Sequence, residues 1–161
     1  MAELSIPESP EEATAEWLTE ALRSSGVLTN GQVTSVRSEP VGEGVGLLSR
    51  LVKLNLEYGT GEAGPGSLVM KMDVASEVNR ALADSLDSYE REVGFYRDIG
   101  PSATVRTPAS YYGHFRAGDG RAVMLMEDLS AYRPGNQVAG ASLADMEAAV
   151  STVAALHAQY W

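Results

Sequence analysis

The chain has 161 residues, 44% of them hydrophobic and 21% charged, which suits the packed core of one domain or of one domain plus part of another. Its formal net charge of −10 argues against nucleic acid or anionic membrane as a partner, because both bind clustered Lys and Arg, but not against a nucleotide. No cysteine is present, so disulfides and thiolate metal sites are excluded.

Neither a membrane span nor a signal peptide is recognisable. No apolar run approaches the roughly 20 residues that cross a bilayer. The first residues lack the basic start and apolar stretch of a secretory signal. We therefore expect a cytoplasmic protein.

The first predicted helix covers residues 9–25. Ser9 can cap it, and Glu12, three residues later, would complete a capping box. Gly26 follows as a stop signal.

Three strands are predicted next, the first of them weakly, over 32–41. Along 50–58, hydrophobic residues alternate with a mostly polar side that includes Lys53. A glycine-rich turn separates this strand from 68–72, so the two should form a hairpin. The 68–72 strand sets one cation, Lys71, into an apolar run.

The second half begins with a helical segment over 74–99, which we expect to be broken in two. Strands over 107–116 and 121–127 follow, joined by a glycine-containing turn. A last helix starts at Ser142, with Asp145 as its capping partner. The core-facing stripe predicted for the 74–99 segment has helical spacing and consists of Leu82, Leu86, Tyr89, Val93 and Tyr96.

This order of elements predicts an α+β fold. Five strands with one long helical segment between the third and fourth suggest an antiparallel sheet with a helix packed on one face.

A glycine run with G-x-G-x-G spacing lies between the first two strands. Without a Cβ, the backbone N–H groups of Gly42, Gly44 and Gly46 could approach phosphate oxygens closely. A glycine-rich hairpin turn that binds no ligand has the same composition. Glu43 would have to point away from any phosphate.

Lys71 is the cation of the third strand. An ammonium that faces a cleft can bind nucleotide phosphates, and Val69 has the same strand parity and would line the same cleft. A charge removed from water needs a partner. Glu90 and Glu92 both flank the helical stripe, and periodicity does not choose between them. The alternative is a lysine that extends into solvent.

The segment that follows the last strand would suit a connector that offers backbone groups to a nucleotide base. Met126, Glu127 and Leu129 are placed for this, with one carbonyl and one N–H two residues later. The alternative is a strand end with an acidic rim. We find no metal, triad or P-loop motif, and neither histidine has ligands at metal spacing.

Together these motifs resemble the aminoglycoside phosphotransferase / choline kinase superfamily, and most of all its ecdysteroid-kinase-like members and its members described only as a phosphotransferase enzyme family. The resemblance extends over about 40–161 of the sequence. It is carried by the segments 41–58, 68–72, 89–96, 123–129 and 154–158.

The resemblance implies a protein-kinase-like N-lobe that transfers the γ-phosphoryl group of ATP or GTP, with Mg²⁺, to a hydroxyl of a small molecule. It selects Glu92 as the partner of Lys71, and both would be catalytic. The glycine run would cover the phosphates, and the connector would hold the base. The implied parts are an N-terminal helix over 1–30, the nucleotide-binding N-lobe over 31–129, and a hinge with the first C-lobe helix over 130–161.

One departure from the family bears on catalysis. Its H-G-D…N catalytic loop and its metal-binding acid have no counterpart in this sequence. We therefore expect part of a longer enzyme, inactive alone, with its metal ligands outside this chain. Self-association through an exposed lobe interface is also expected. The alternatives are a free-standing kinase-like regulatory module, and a structural α+β domain in which Lys71 is incidental.

Overall fold

The structure is a computed structural model that describes residues 4–41, 48–133, 135–136 and 138–161. Within these residues, five strands form one antiparallel sheet. The strands are β1 (Val33–Val41), β2 (Ser49–Tyr58), β3 (Ser67–Asp73), β4 (Ser110–Arg116) and β5 (Arg121–Glu127). Their order in the sheet is β1-β2-β3-β5-β4. β4 begins three residues later than predicted, because Pro108 cannot donate to a strand ladder.

The helices complete the α+β fold that the sequence predicts. One helix precedes the sheet, two lie between β3 and β4, and one follows β5. They are α1 (Ala15–Ser24), α2 (Glu77–Ser85), α3 (Ser88–Gly94) and α4 (Leu143–Tyr160), with short turns at Pro10–Glu12, Phe95–Ile99 and Gly100–Ser102.

α1 covers one face of the sheet. Leu54, Met70 and Leu125, from three adjacent strands, are fully buried on this face. They share one core cluster with Leu18 and Leu22 of α1. Burial of each such side chain contributes about 1.5–3 kcal/mol. The N-terminal helix is therefore one layer of the same lobe.

α3 covers part of the opposite face. Its Val93 packs with Met124 and Met126 of β5. Side chains alternate along a strand, so Val69 and Lys71 of β3 also lie on this face. α3 leaves the area above these two residues open, which creates a cleft.

The helix predicted from Ser9 is interrupted, and its predicted capping box is wrong. Ser9 makes no side-chain cap bond, and the Glu12 carboxylate instead accepts from the Glu8 N–H at 2.9 Å. The backbone leaves the helical region before α1. Thr14 then caps α1 by accepting from the Trp17 N–H at 3.2 Å.

The segment after β3 is broken in two, as predicted, at Asp87. This residue adopts a left-handed conformation with φ of 51°, which Asp tolerates better than most residues. The break shifts the helical phase. Tyr89 and Val93 are buried, whereas Leu82 and Leu86 are 51% and 53% exposed. The predicted stripe is thus wrong for its first two residues.

α4 begins with the predicted capping box. Ser142 accepts from the Asp145 N–H, and the Asp145 carboxylate accepts from the Ser142 N–H. No side chain of α4 is buried, so Met146, Val150 and Val153 form an exposed apolar face. Self-association through this face stays a prediction. No helix in the described ranges is both long and apolar enough to cross a membrane.

Candidate functional site

A pocket of about 480 Å³, here called the cleft pocket, lies between the open face of the sheet, α3 and the segment after β5. It is lined by Val41, Leu51, Lys53, Val69, Lys71, Glu92, Tyr96, Pro108, Met126, Glu127, Asp128, Leu129, Ser130 and Tyr132.

Lys71 and Glu92 meet at the α3 side of this pocket. Lys71 Nζ lies 2.5 Å from Glu92 Oε1, so the contact that the sequence predicts is present. The side chains are 25% and 31% exposed, and both are therefore accessible to a ligand from solvent. Glu90, the other candidate, is exposed. The roles of Lys71 and Glu92 in phosphate binding stay a prediction.

The roof of the cleft pocket is apolar. Val41 pairs with Leu51 across β1 and β2, and Val69 pairs with Met126 across β3 and β5. All four side chains line the pocket. A row of apolar side chains on a sheet offers the flat surface that an aromatic base needs.

Two connector residues predicted to bind the base, Glu127 at the end of β5 and Leu129 just beyond it, also line the pocket. The Glu127 carboxylate accepts two hydrogen bonds from Arg106, at 2.9 and 2.6 Å, and one from the Ala109 N–H at 3.0 Å. The Arg106 bonds hold the pKa of Glu127 below its usual value, with the Ala109 N–H contributing less. The Leu129 carbonyl accepts from the Tyr132 N–H in a turn. The Glu127 side chain therefore stabilises the fold, and any hydrogen bond from this residue to a base would come from its backbone.

A second ion pair joins the roof to the connector, and the sequence analysis missed it. Lys53 Nζ lies 2.9 Å from Asp128 Oδ2, which also accepts from Ser67 Oγ at 2.7 Å. Asp128 Oδ1 accepts from the Ser130 N–H at 2.9 Å. The sequence did contain a signal for Lys53, because Lys53 and Lys71 are the only two lysines of the chain. The hairpin puts both on the cleft face.

Asp128 makes a testable contribution to stability. The hydrogen bond from Lys53, then those from Ser130 and Ser67, lower its pKa well below the ordinary value. Its ionised form therefore stabilises the folded chain above the unfolded-state pKa of about 4, and this stabilisation is lost as the pH falls toward the folded-state pKa. We expect the difference in free energy of unfolding between wild type and Asp128→Asn to shrink between about pH 5 and about pH 2.

Denaturant titrations across this pH range measure that difference directly. Asp84→Asn, at an exposed position of α2, serves as the control and should change the free energy of unfolding by no more than about 0.5 kcal/mol. A wild-type advantage over Asp128→Asn that stays constant down to pH 2 would rule out the assigned ion pair.

Asp73 is a second acidic residue that the sequence analysis overlooked. It is 1% exposed at the end of β3, two residues after Lys71. Its Oδ2 lies 3.4 Å from Arg80 Nη1 of α2 and 3.8 Å from Arg121 Nη1 of β5, and Oδ1 accepts from the Ala122 N–H at 3.4 Å. Asp73 therefore ties three elements together beside the cleft.

Tyr89 links α3 to Leu48, the residue immediately before β2. Its hydroxyl donates to the Leu48 carbonyl, and burial raises its pKa. This contact reaches the edge of the segment predicted to bind phosphates. The three residues predicted for that role, Gly42, Gly44 and Gly46, lie outside the described residues.

No metal centre is evident in the described part of the chain. Within it, no group of three or more His, Asp or Glu side chains could hold a metal ion. The expectation that the Mg²⁺ ligands lie outside this chain stays a prediction.

Comparison with family models matches most of the chain to a known family. The model of a family described as the ecdysteroid kinase-like family matches residues 43–159. The match begins just after Gly42 and spans Gly44 and Gly46 of the glycine run, Lys71, Glu92, the connector and most of α4. No curated protein and no solved structure matches the chain.

Proposed function

The chain belongs to the ecdysteroid kinase-like family, within the protein-kinase-like / choline kinase superfamily, and on that basis we propose that its cleft pocket binds ATP or GTP. The nucleotide would serve transfer of its γ-phosphoryl group to a hydroxyl of a small molecule.

The observation that carries this proposal is the Lys71–Glu92 ion pair at the rim of an apolar pocket. The carboxylate holds the ammonium at 2.5 Å, while a quarter of the lysine side chain remains exposed. A lysine held in this way is a point charge fixed beside the cleft, which is how kinases bind the α- and β-phosphates.

The other end of the pocket supports base binding. The Val69 and Leu51 side chains would contact one face of the ring from the roof. The Glu127 carbonyl and the Leu129 N–H would bind its edge. Backbone groups of this kind bind either adenine or guanine, in different registers.

We infer that this chain binds nucleotide but does not transfer the phosphoryl group by itself. Transfer requires a group that orients the acceptor hydroxyl and carboxylates that hold Mg²⁺ between the phosphates. No histidine in the sequence is followed two residues later by Asp, and no Asp has Asn five residues on. Those groups would come from outside this chain.

Two measurements on the purified chain test this proposal. Calorimetric titration with ATP and with GTP should show saturable binding of at least one, and addition of Mg²⁺ with small hydroxyl compounds should release no ADP or GDP. A measurable kcat would contradict the second inference. Failure to bind either nucleotide at millimolar concentration would contradict the first and favour a regulatory module that does no chemistry.

A further inference from the structure

We propose that the Lys53–Asp128 ion pair positions the connector for base binding, so that Lys53 and Asp128 set the affinity for the base while Lys71 sets the affinity for the phosphates. This inference rests on the proposed nucleotide-binding function. It adds a second pair of functional residues to the same pocket.

The pair joins the roof of the pocket to its connector wall. Lys53 lies on β2 directly opposite Val69 of β3. Asp128 stands between Glu127 and Leu129, whose backbone groups are the ones proposed to bind the base. The 2.9 Å contact between Lys53 Nζ and Asp128 Oδ2 therefore ties β2 to the connector beside the backbone groups proposed to bind the base.

Asp128 is held too firmly to be an ordinary surface carboxylate. Its side chain is 9% exposed, against 26% for Lys53. One of its oxygens accepts from Lys53 and Ser67, and the other accepts from the Ser130 N–H. The bonds come from β2, β3 and the connector itself, so they fix the backbone of residue 128 relative to the sheet.

The preceding residue is held by a different cation. Arg106, from the segment before β4, binds both carboxylate oxygens of Glu127. Two consecutive acidic side chains are thus anchored by Arg106 and by Lys53, which come from different parts of the chain. The backbone of Glu127 and Asp128 is therefore fixed at both residues. Hydrogen bonding to a base edge requires this, because binding falls steeply when such groups are misplaced by about 1 Å.

The strand register separates the two lysines according to these roles. Lys71 lies opposite Leu51, whereas Lys53 lies opposite Val69. The two positions differ by two residues along the hairpin, or about 7 Å. Lys71 is paired with α3, and Lys53 is paired with the connector. One lysine therefore stands at the predicted phosphate end and the other at the predicted base end.

Titrations with adenosine and with ATP, both without divalent metal, separate these roles. We expect Lys53→Met and Asp128→Asn to raise the Kd for adenosine and for ATP by the same factor, on the order of tenfold. Lys71→Met should raise the Kd for ATP alone. The doubly substituted Lys53→Met/Asp128→Asn protein should lose no more affinity than either single variant, since both changes remove one interaction.

The backbone amide resonance of Leu129 gives a readout that needs no ligand. We expect it to move in Lys53→Met and to stay near its wild-type position in Lys53→Arg, which keeps the charge. Arg116→Met is the matched control, because it removes a cation paired with an Asp at the exposed β4–β5 turn. That variant should change neither the Leu129 resonance nor either Kd.

Three other outcomes of these measurements would each contradict a specific part of the proposal. If Lys53→Met weakened ATP but not adenosine, Lys53 would be a phosphate ligand and the positioning role would be wrong. If it lowered the melting temperature with both Kd values unchanged, the pair would be structural only. Wild type that binds neither adenosine and ATP nor guanosine and GTP would overturn the proposed function itself, and with it this inference.

Discussion

Replacement of Lys71 by Met is expected to lower the affinity for ATP by about ten- to a hundredfold, because a hydrogen bond to a charged group contributes about 1.5–3 kcal/mol. The methionine side chain keeps most of the apolar stem and removes the charge. Stability should change little, since a partly exposed ion pair contributes at most about 1 kcal/mol. Calorimetric titration with ATP measures the loss.

Two companion variants make that result specific. Glu92→Gln leaves the ammonium in place but removes the carboxylate that holds it, so we expect a smaller loss of ATP affinity than in Lys71→Met. Arg116→Met removes a cation far from the cleft pocket and should bind ATP like wild type. Equal ATP affinity in Lys71→Met and wild type would show that Lys71 is not a phosphate ligand.

Asp73→Ala is expected to lower the free energy of unfolding by about 1–3 kcal/mol, the usual effect of leaving a buried donor without its acceptor. The carboxylate is 1% exposed, and its loss leaves the Ala122 N–H and Arg80 without this acceptor, whereas Arg121 keeps its contact with Glu8. Urea denaturation monitored by Trp fluorescence gives the free energy.

Asp84→Ala provides the control for this variant. Asp84 is an exposed residue of the neighbouring helix α2, and its replacement should change stability by no more than about 0.5 kcal/mol. An Asp73→Ala protein as stable as the Asp84→Ala protein would mean that the Asp73 network does not hold β3, α2 and β5 together.

The local features of the fold were predictable because short-range rules govern them. Alternation along 50–58 predicted which side of β2 is buried, and the structure buries Val52, Leu54 and Leu56. The Ser142–Asp145 capping box was likewise readable, since its two partners are three residues apart. Each of these depends on neighbours along the chain.

The wrong predictions concern helices whose pattern was assumed to continue through a break in the backbone. The helical stripe through Leu82 and Leu86 assumed an unbroken helix, and the left-handed Asp87 changes the phase between α2 and α3. The Ser9–Glu12 spacing matches a capping box, but the backbone leaves the helical region before α1. Spacing alone does not show whether a helix continues.

The missed part of the site depends on contacts between distant residues. Lys53 and Asp128 meet because β2, β3 and β5 are neighbours in the sheet, and no periodicity in one segment predicts that order. The same holds for Arg106 and Glu127. The Lys71–Glu92 contact is equally remote in sequence, and only the resemblance to a family selected Glu92 over Glu90.

Affinity labelling with an acyl-phosphate derivative of ATP tests the central claim most directly. A lysine amine beside the phosphates attacks the acyl carbon, forms an amide and releases ATP. The chain's two lysines both line the cleft pocket, so mass spectrometry of the labelled peptides distinguishes them. We predict labelling at Lys71 that excess ATP suppresses. Labelling chiefly at Lys53, or labelling that ATP does not suppress, would contradict a nucleotide site built around Lys71.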